Sequence, residues 1–153
     1  MKNFQCQVEI LAPAAKVYEA ITTEKGLKGW WTTTCESGPG VGSKATFRFG
    51  KTHNVMLTEK LTPNQEVIWK CLEQHHEAAE LNRKDEWAGT KVKFNLEGRS
   101  PSSTVLRFEH EGLTPQLECY QICDRGWTHF LKTSLKKFVE TGRGEPFSGE
   151  STS

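Results

Sequence analysis

Apolar and polar residues alternate along much of the chain. From Phe4 to Ile10 every second side chain is apolar, which is the period of a half-buried β-strand. The same alternation returns in five later segments, at 45–49, 52–61, 65–72, 90–96 and 104–111. Short turns separate several of these segments, so the pattern predicts about six strands with antiparallel pairing between neighbours.

Short helical segments are predicted directly after the first strand. Pro13 suits the first turn of a helix, and Val17, Ala20 and Ile21 follow it at helical spacing. One further turn is predicted over residues 24–28. These segments are expected to close one end of the sheet.

A long helix is predicted near the C-terminus, starting close to Thr114 and Pro115. Its apolar stripe recurs every three or four residues, at Tyr120, Cys123, Trp127, Leu131, Leu135 and Phe138. Gly142 and Pro146 end it after about 20 residues. Because an apolar sheet face needs a partner, we expect an α+β fold, in which a curved antiparallel sheet wraps on this helix.

The length of 153 residues suits one domain, predicted over residues 1–147 and followed by a flexible tail at 148–153. A polar insertion at 73–86 interrupts the strand pattern. A loop of this length is either a mobile flap or a solvated helical turn.

Charge and composition argue against several classes of partner. The chain has 20 Lys and Arg residues against 19 Asp and Glu, so no strong net field exists to attract nucleic acid. The N-terminus lacks the long apolar stretch of a signal peptide or membrane span. Five cysteines without a Cys-x-x-Cys pair indicate reduced thiols. We therefore expect a cytoplasmic protein with neither nucleic acid nor membrane as partner.

A series of short motifs follows in one order along residues 4–146. They include Gly29-Trp30-Trp31, Pro39-Gly40-x-Gly42, Trp87-x-Gly89-Thr90, Phe108-x-His110-x-Gly112 and Gly126-Trp127. In this order they resemble the AHSA-like family (activator of heat-shock-protein ATPase homologue-like) of the START-like, or SRPBCC, superfamily. The resemblance implies a helix-grip fold, with a cavity between sheet and helix that in many relatives suits an apolar molecule.

Strand alternation and this resemblance together supply the candidate ligand-binding residues. They are Trp30, Trp31, Phe47, Phe49, Trp69, Phe94, Phe108, His110, Trp127 and Leu131. The competing interpretation is that they fill the space as an ordinary core. Two adjacent indoles cannot both face the same direction, so one of Trp30 and Trp31 is expected at the mouth of the cavity.

Gly126 and His110 each need an explanation beyond the apolar pattern. Gly126 lies within the long helix, where glycine costs about 1 kcal/mol relative to alanine, and we expect close packing to explain it. His110 shares a face with Phe108 and is predicted to point toward the open end of the cavity. It is either a polar anchor or general base, or a structural histidine with satisfied hydrogen bonds.

Metal and cofactor chemistry are not expected. Cys119 and Cys123 share a helix face and could join His110 as three ligands, but the knuckle spacing and a fourth ligand are missing. His75 and His76 lie in a polar segment, and solvent exposure explains them. No Gly-x-Ser-x-Gly, phosphate-binding or dinucleotide motif is present, and no catalytic residue is assigned.

The leading hypothesis is a module that binds a small hydrophobic or aromatic molecule, and we favour it over an enzyme. A protein-interaction or co-chaperone role is the first alternative. It requires a chaperone partner, and one domain is expected to fill the chain, without the additional N-terminal chaperone-binding domain of the eukaryotic activators. The second alternative is a cyclase-like or hydrolase-like enzyme that uses His110. A homodimer is compatible with each hypothesis.

Overall fold

Seven antiparallel strands form one sheet within residues 2–38 and 40–148, the part of the chain that the computed structural model describes. The strands are β1 (Phe4–Ile10), β2 (Thr34–Ser37), β3 (Lys44–Phe49), β4 (Thr52–Thr62), β5 (Glu66–His75), β6 (Lys91–Ser100) and β7 (Ser103–Glu111). Their order across the sheet is β1-β7-β6-β5-β4-β3-β2. The helix-grip fold class is confirmed. The additional strand is β2, whose four residues are too few to show alternation.

Two short helices follow β1, as predicted. They are α1 (Ala14–Thr22) and α2 (Glu24–Trp30). Thr23 separates them, because its hydroxyl donates to the Glu19 carbonyl at 2.9 Å and accepts the Gly26 N–H at 3.0 Å. This side chain ends one helix and caps the next.

The long C-terminal helix begins at Tyr120, later than predicted, because turns and a bend occupy residues 115–119. It consists of α3 (Tyr120–Thr128), a π-helical segment (His129–Leu135) and α4 (Lys136–Thr141), which follow one another directly. The wider π turn changes which side chains face the sheet. After it, Val139 is 2% exposed, whereas Phe138 of the predicted stripe is only partly buried.

The sheet separates at one end. The pairing of β4 with β5 shifts between Val55 and Met56, where a bulge leaves Leu72 of β5 as an extra residue. The pairing of β5 with β6 stops at Lys70 opposite Lys91, while β5 continues to His75 beside β4 alone. The 76–90 loop, which connects β5 to β6, occupies the space this leaves.

A stack of indoles, here called the tryptophan stack, joins sheet, short helices and long helix. Ring centroids of Trp31 lie 5.8 Å from Trp30, 5.8 Å from Trp69 and 5.1 Å from Trp127, and Trp87 lies 5.6 Å from Trp127. The interplanar angles of these pairs are between 5° and 24°. All five tryptophans of the chain belong to it.

The flexible tail was predicted over residues 148–153, and residues 149–153 of it lie outside the described part of the chain.

Among the described residues, no helix combines the length and apolar character needed to cross a membrane.

Ser134 connects the long helix to two other segments. Its buried hydroxyl donates to the Trp30 carbonyl at 2.7 Å and accepts the Glu145 N–H at 2.7 Å. Thus one side chain supplies a hydrogen-bond partner both to a carbonyl at the end of α2 and to a backbone N–H in the segment that follows α4.

We expect Ser134→Ala to lower the free energy of unfolding by about 1–3 kcal/mol, because a buried carbonyl and a backbone N–H would both lose their partner. Urea unfolding followed by circular dichroism measures this. Thr133→Ala, at the exposed neighbouring position, is the control and should remain within about 0.5 kcal/mol of the wild type. Equal effects of the two substitutions would contradict the assigned role.

Candidate functional site

A pocket of about 190 Å³ opens where β5 leaves β6, between the start of β4, the 76–90 loop and α3. Its walls come from the aromatic core, from strand ends and from the helix. The lining residues are Trp31, Phe49, Thr52, Asn54, Gln74, His76, Trp87, Ile122, Cys123, Gly126, Trp127 and Phe130.

The apolar wall of the pocket is the exposed side of the tryptophan stack. Trp31, Trp127 and Trp87 lie side by side there, although each is less than 8% exposed. Phe49 and Phe130, 6.1 Å apart, extend this wall toward solvent. Flat aromatic faces held by stacking form a rigid surface suited to another ring.

The polar wall consists of side chains from the adjoining ends of β4 and β5. Thr52 and Gln74 use their oxygens to accept backbone N–H groups of the 76–90 loop, from Glu77 and Trp87, each at 2.9 Å. Asn54 Oδ1, in a side chain only 2% exposed, is buried without a hydrogen-bond partner among the described residues.

His76 presents a second such atom. Its Nδ1 is buried and has no hydrogen-bond partner within residues 2–38 and 40–148. Burying a polar atom without a partner costs free energy, so a group that formed a hydrogen bond with Asn54 Oδ1 or His76 Nδ1 would remove that cost.

Gly126 faces the pocket rather than a close neighbour. A Cβ atom built at this position meets no atom of the described residues within 4 Å outside its own helix and adjacent residues. The expectation of close packing is therefore wrong. The glycine leaves open the space that a side chain would fill.

His110 does not point into the pocket, contrary to the prediction. It is fully buried behind Trp127, whose Nε1–H donates to His110 Nδ1 at 3.1 Å. Because Nδ1 accepts, the neutral ring carries its proton on Nε2 and donates it to Thr90 Oγ1, 2.7 Å away. Thr90 in turn donates to the Trp87 carbonyl at 2.6 Å. His110 is thus a structural histidine that orients two members of the stack.

The 76–90 loop is tied to the start of α3 by two carboxylates. Glu118 Oε1 accepts the N–H groups of Asn82 and Arg83 at 2.8 and 2.9 Å, and these bonds hold the pKa of Glu118 below its ordinary value. Glu86 accepts the N–H groups of Glu118 and Cys119 at 3.1 and 3.0 Å.

The 76–90 loop contains no helix among its described residues, so the helical-turn interpretation is wrong.

These ties bring together three side chains of residue types that can act as metal ligands. The ligand atoms of His76, Cys119 and Cys123 lie within 4.8 Å of one another. Trp87 Nε1–H donates to Cys123 Sγ at 3.3 Å. Interaction with the Cys123 thiol, and then burial, raises the pKa of the Cys119 thiol. His110, considered from the sequence as a third ligand beside these cysteines, is not in this group, and the histidine beside them is His76.

Comparison with known proteins identifies the family. The model of the family described as Activator of Hsp90 ATPase homolog 1-like protein (AHSA1) matches residues 11–140. The chain belongs to this family. No curated protein matches the AHSA1-like chain.

Three solved structures to which the AHSA1-like chain is similar come from different organisms. The Aha1 dimer from Colwellia psychrerythraea is 34% identical, with 94% of this chain and 100% of that chain covered and a TM-score of 0.76. An HSP90 activator from Plasmodium falciparum is 18% identical, with 93% and 97% covered and a TM-score of 0.68. A Staphylococcus saprophyticus protein is 16% identical, with 94% and 96% covered and a TM-score of 0.71. The last two show the fold alone.

The predicted site residues of the AHSA1-like chain divide into two groups. Trp31, Phe49 and Trp127 line the pocket. The remaining predicted residues lie in the core beneath or beside it: Trp30, Phe47, Trp69, Phe94, Phe108, His110 and Leu131. Trp30 also donates from Nε1 to the Ala20 carbonyl at 2.8 Å.

The prediction did not include Asn54, His76, Trp87 or Phe130 among the ligand-binding residues. One signal was available for Trp87, because it follows a long polar segment in which a tryptophan needs an apolar partner. Asn54 lies on the same face of β4 as buried Met56, so a buried polar position could also have been suspected.

Burial lowers the pKa of His110 to about 3, from an ordinary value near 6.5. The folded protein therefore binds no proton there at pH 4–6, whereas the unfolded chain does. This contributes a loss of stability of up to about 1.4 kcal/mol per pH unit as pH falls from about 6.5 toward 3. Histidine ring NMR should show His110 as the Nε2–H neutral tautomer from pH 8 to pH 4, with a histidine-containing peptide as control. A midpoint near pH 6.5 would contradict this.

Proposed function

We propose that this protein is a cytoplasmic binding module that holds a small aromatic molecule in the pocket beside the tryptophan stack. One observation carries the proposal: indoles line one side of the pocket, and Asn54, whose buried amide oxygen has no hydrogen-bond partner among the described residues, lines another. Binding pockets commonly combine mostly apolar walls with a few convergent polar groups.

The volume favours a ligand with one ring. An apolar cavity of about 150 Å³ accommodates benzene, and drug-sized ligands occupy pockets of about 300–1,000 Å³. At about 190 Å³, the pocket suits one substituted ring lying against Trp127 and Trp31. Asn54 Oδ1 would accept a hydrogen bond from a hydroxyl or N–H of that ring, removing the cost of its burial.

Gly126→Leu is expected to fill the pocket and weaken binding of a single-ring donor such as phenol or aniline by at least about 10-fold, because the ring and the new side chain compete for one space. Gly126→Ala should weaken ring binding less than Gly126→Leu does, and it should stabilise the helix by about 0.5–1 kcal/mol. Ligand-observed NMR measures binding, and urea unfolding measures stability.

The matched control is Gln121→Leu, which adds the same side chain at an exposed position of α3. It should bind like the wild type. If Gly126→Leu also binds like the wild type, or if no member of a panel of phenols, indoles and anilines binds the unmodified protein, the proposed pocket function is overturned.

A second candidate function is self-association coupled to a co-chaperone role. The supporting observation is the 34% identity to a protein described as an Aha1 dimer, over the whole of that chain. The proposal is that this domain forms a homodimer and stimulates the ATPase of an Hsp90-type chaperone.

Sedimentation equilibrium at micromolar concentrations should then give twice the monomer mass of 17.3 kDa. Adding the protein to the Hsp90-type chaperone of the same organism should raise the rate of ATP turnover above that of the chaperone alone. Heat-denatured protein is the control. A monomer that leaves turnover unchanged would exclude this second candidate.

A further inference from the structure

His76, Cys119 and Cys123 form a cluster that organic-ligand binding does not explain. His76 is the first residue after β5, Cys119 directly precedes α3, and Cys123 lies in its first turn. Their ligand atoms lie within 4.8 Å of one another although the residues come from two distant parts of the chain. Cys119 and Cys123 are both buried, free thiols.

The surrounding hydrogen bonds hold each member of the cluster in position. Glu86 fixes the backbone of Cys119 through its N–H at 3.0 Å, and the Lys84 carbonyl fixes that of His76 through an N–H at 2.7 Å. Trp87 Nε1–H donates to the Cys123 sulfur at 3.3 Å. Such outer contacts orient ligands before a metal arrives.

The distances suit a small ion after a modest adjustment. Tetrahedral Zn²⁺, with Zn–S near 2.3 Å and Zn–N near 2.0 Å, separates its ligand atoms by roughly 3.5–3.8 Å. Closing from 4.8 Å or less therefore requires movement of about 1 Å, which side-chain rotation supplies. His76 Nδ1, buried and without a partner among the described residues, would gain one.

We propose that His76, Cys119 and Cys123 bind a thiophilic metal ion of the Zn²⁺ type, with its fourth position open to the pocket. Two thiolates and an imidazole are the ligands that such ions prefer, and three protein ligands with one open position are typical of reactive zinc sites. The fourth position faces the pocket because His76 and Cys123 both line it.

The charges and protons balance. Each thiol releases one proton to solvent when its sulfur binds the ion, and neutral His76 donates a lone pair without losing a proton. Two thiolates then neutralise the divalent ion, which makes the site electrically neutral and compatible with burial beside Trp87. No oxidant or reductant is involved.

The experiment is Zn²⁺ titration of the full chain, stripped with a chelator and kept reduced with a phosphine, against a chromophoric zinc chelator. We expect one Zn²⁺ per chain in the wild type. Cys119→Ala and His76→Gln should each weaken binding by about 100-fold or more, because each removes a ligand. Co²⁺ should give sulfur-to-cobalt charge-transfer absorption that Cys119→Ala reduces.

Cys35→Ala is the matched control, since Cys35 is also a buried free thiol but lies on β2, outside the cluster. It should bind zinc like the wild type. His76 is only partly buried, so His76→Gln should fold even if Cys119→Ala does not. The proposal is overturned if the wild type binds no zinc, or if folded His76→Gln retains wild-type affinity.

The metal site opens to the same pocket as the proposed aromatic ligand but uses different side chains, so the two failures are distinguishable. Gly126→Leu should weaken ring binding and leave zinc affinity unchanged, because Gly126 supplies no ligand atom to the metal. Zinc binding without any bound ring would overturn the organic ligand alone, and ring binding by a protein without zinc affinity would overturn the metal site alone.

Discussion

The hydrogen bond from Trp127 to His110 is the contact on which the rest of this structure depends. It is buried, it joins the long helix to β7, and it sets the orientation of the indole that stacks on both Trp31 and Trp87. A buried donor and acceptor that satisfy each other specify one arrangement of a core, whereas apolar surfaces alone tolerate several. The helix can therefore lie on the sheet in one register, and the position of Gly126 over the pocket follows from it.

The pocket exists because the sheet is incomplete at one end. β5 continues beyond its last pair with β6, so the 76–90 loop must cross the space and return to the sheet at Lys91. Glu86 and Glu118 connect that loop to α3 from both sides. The hydrogen bonds of Glu86 and Glu118 thus bring the polar wall of the pocket, Trp87 and His76 to the start of α3.

Much of the architecture follows from local patterns, because alternation and helical spacing report directly which faces are buried. The strand β2 and the π-helical segment were not predictable in this way, one being too short and the other lacking a distinct pattern. The candidate site was harder still. Its aromatic wall was partly anticipated, but the proximity of His76 to Cys119 depends on where a long loop crosses the helix. Likewise, the space in front of Gly126 is a property of its neighbours rather than of the glycine.

The tryptophan stack has an optical consequence. Indole centroids between 5.1 and 5.8 Å apart, with rings close to parallel, place their transition dipoles near enough to share an excitation. The five chromophores should then behave as one delocalised absorber, whose near-ultraviolet dichroism depends on relative orientation and not on any single ring. A small rotation of the helix on the sheet would alter that spectrum before secondary structure changed. Near-ultraviolet dichroism should therefore report how the helix is aligned on the sheet.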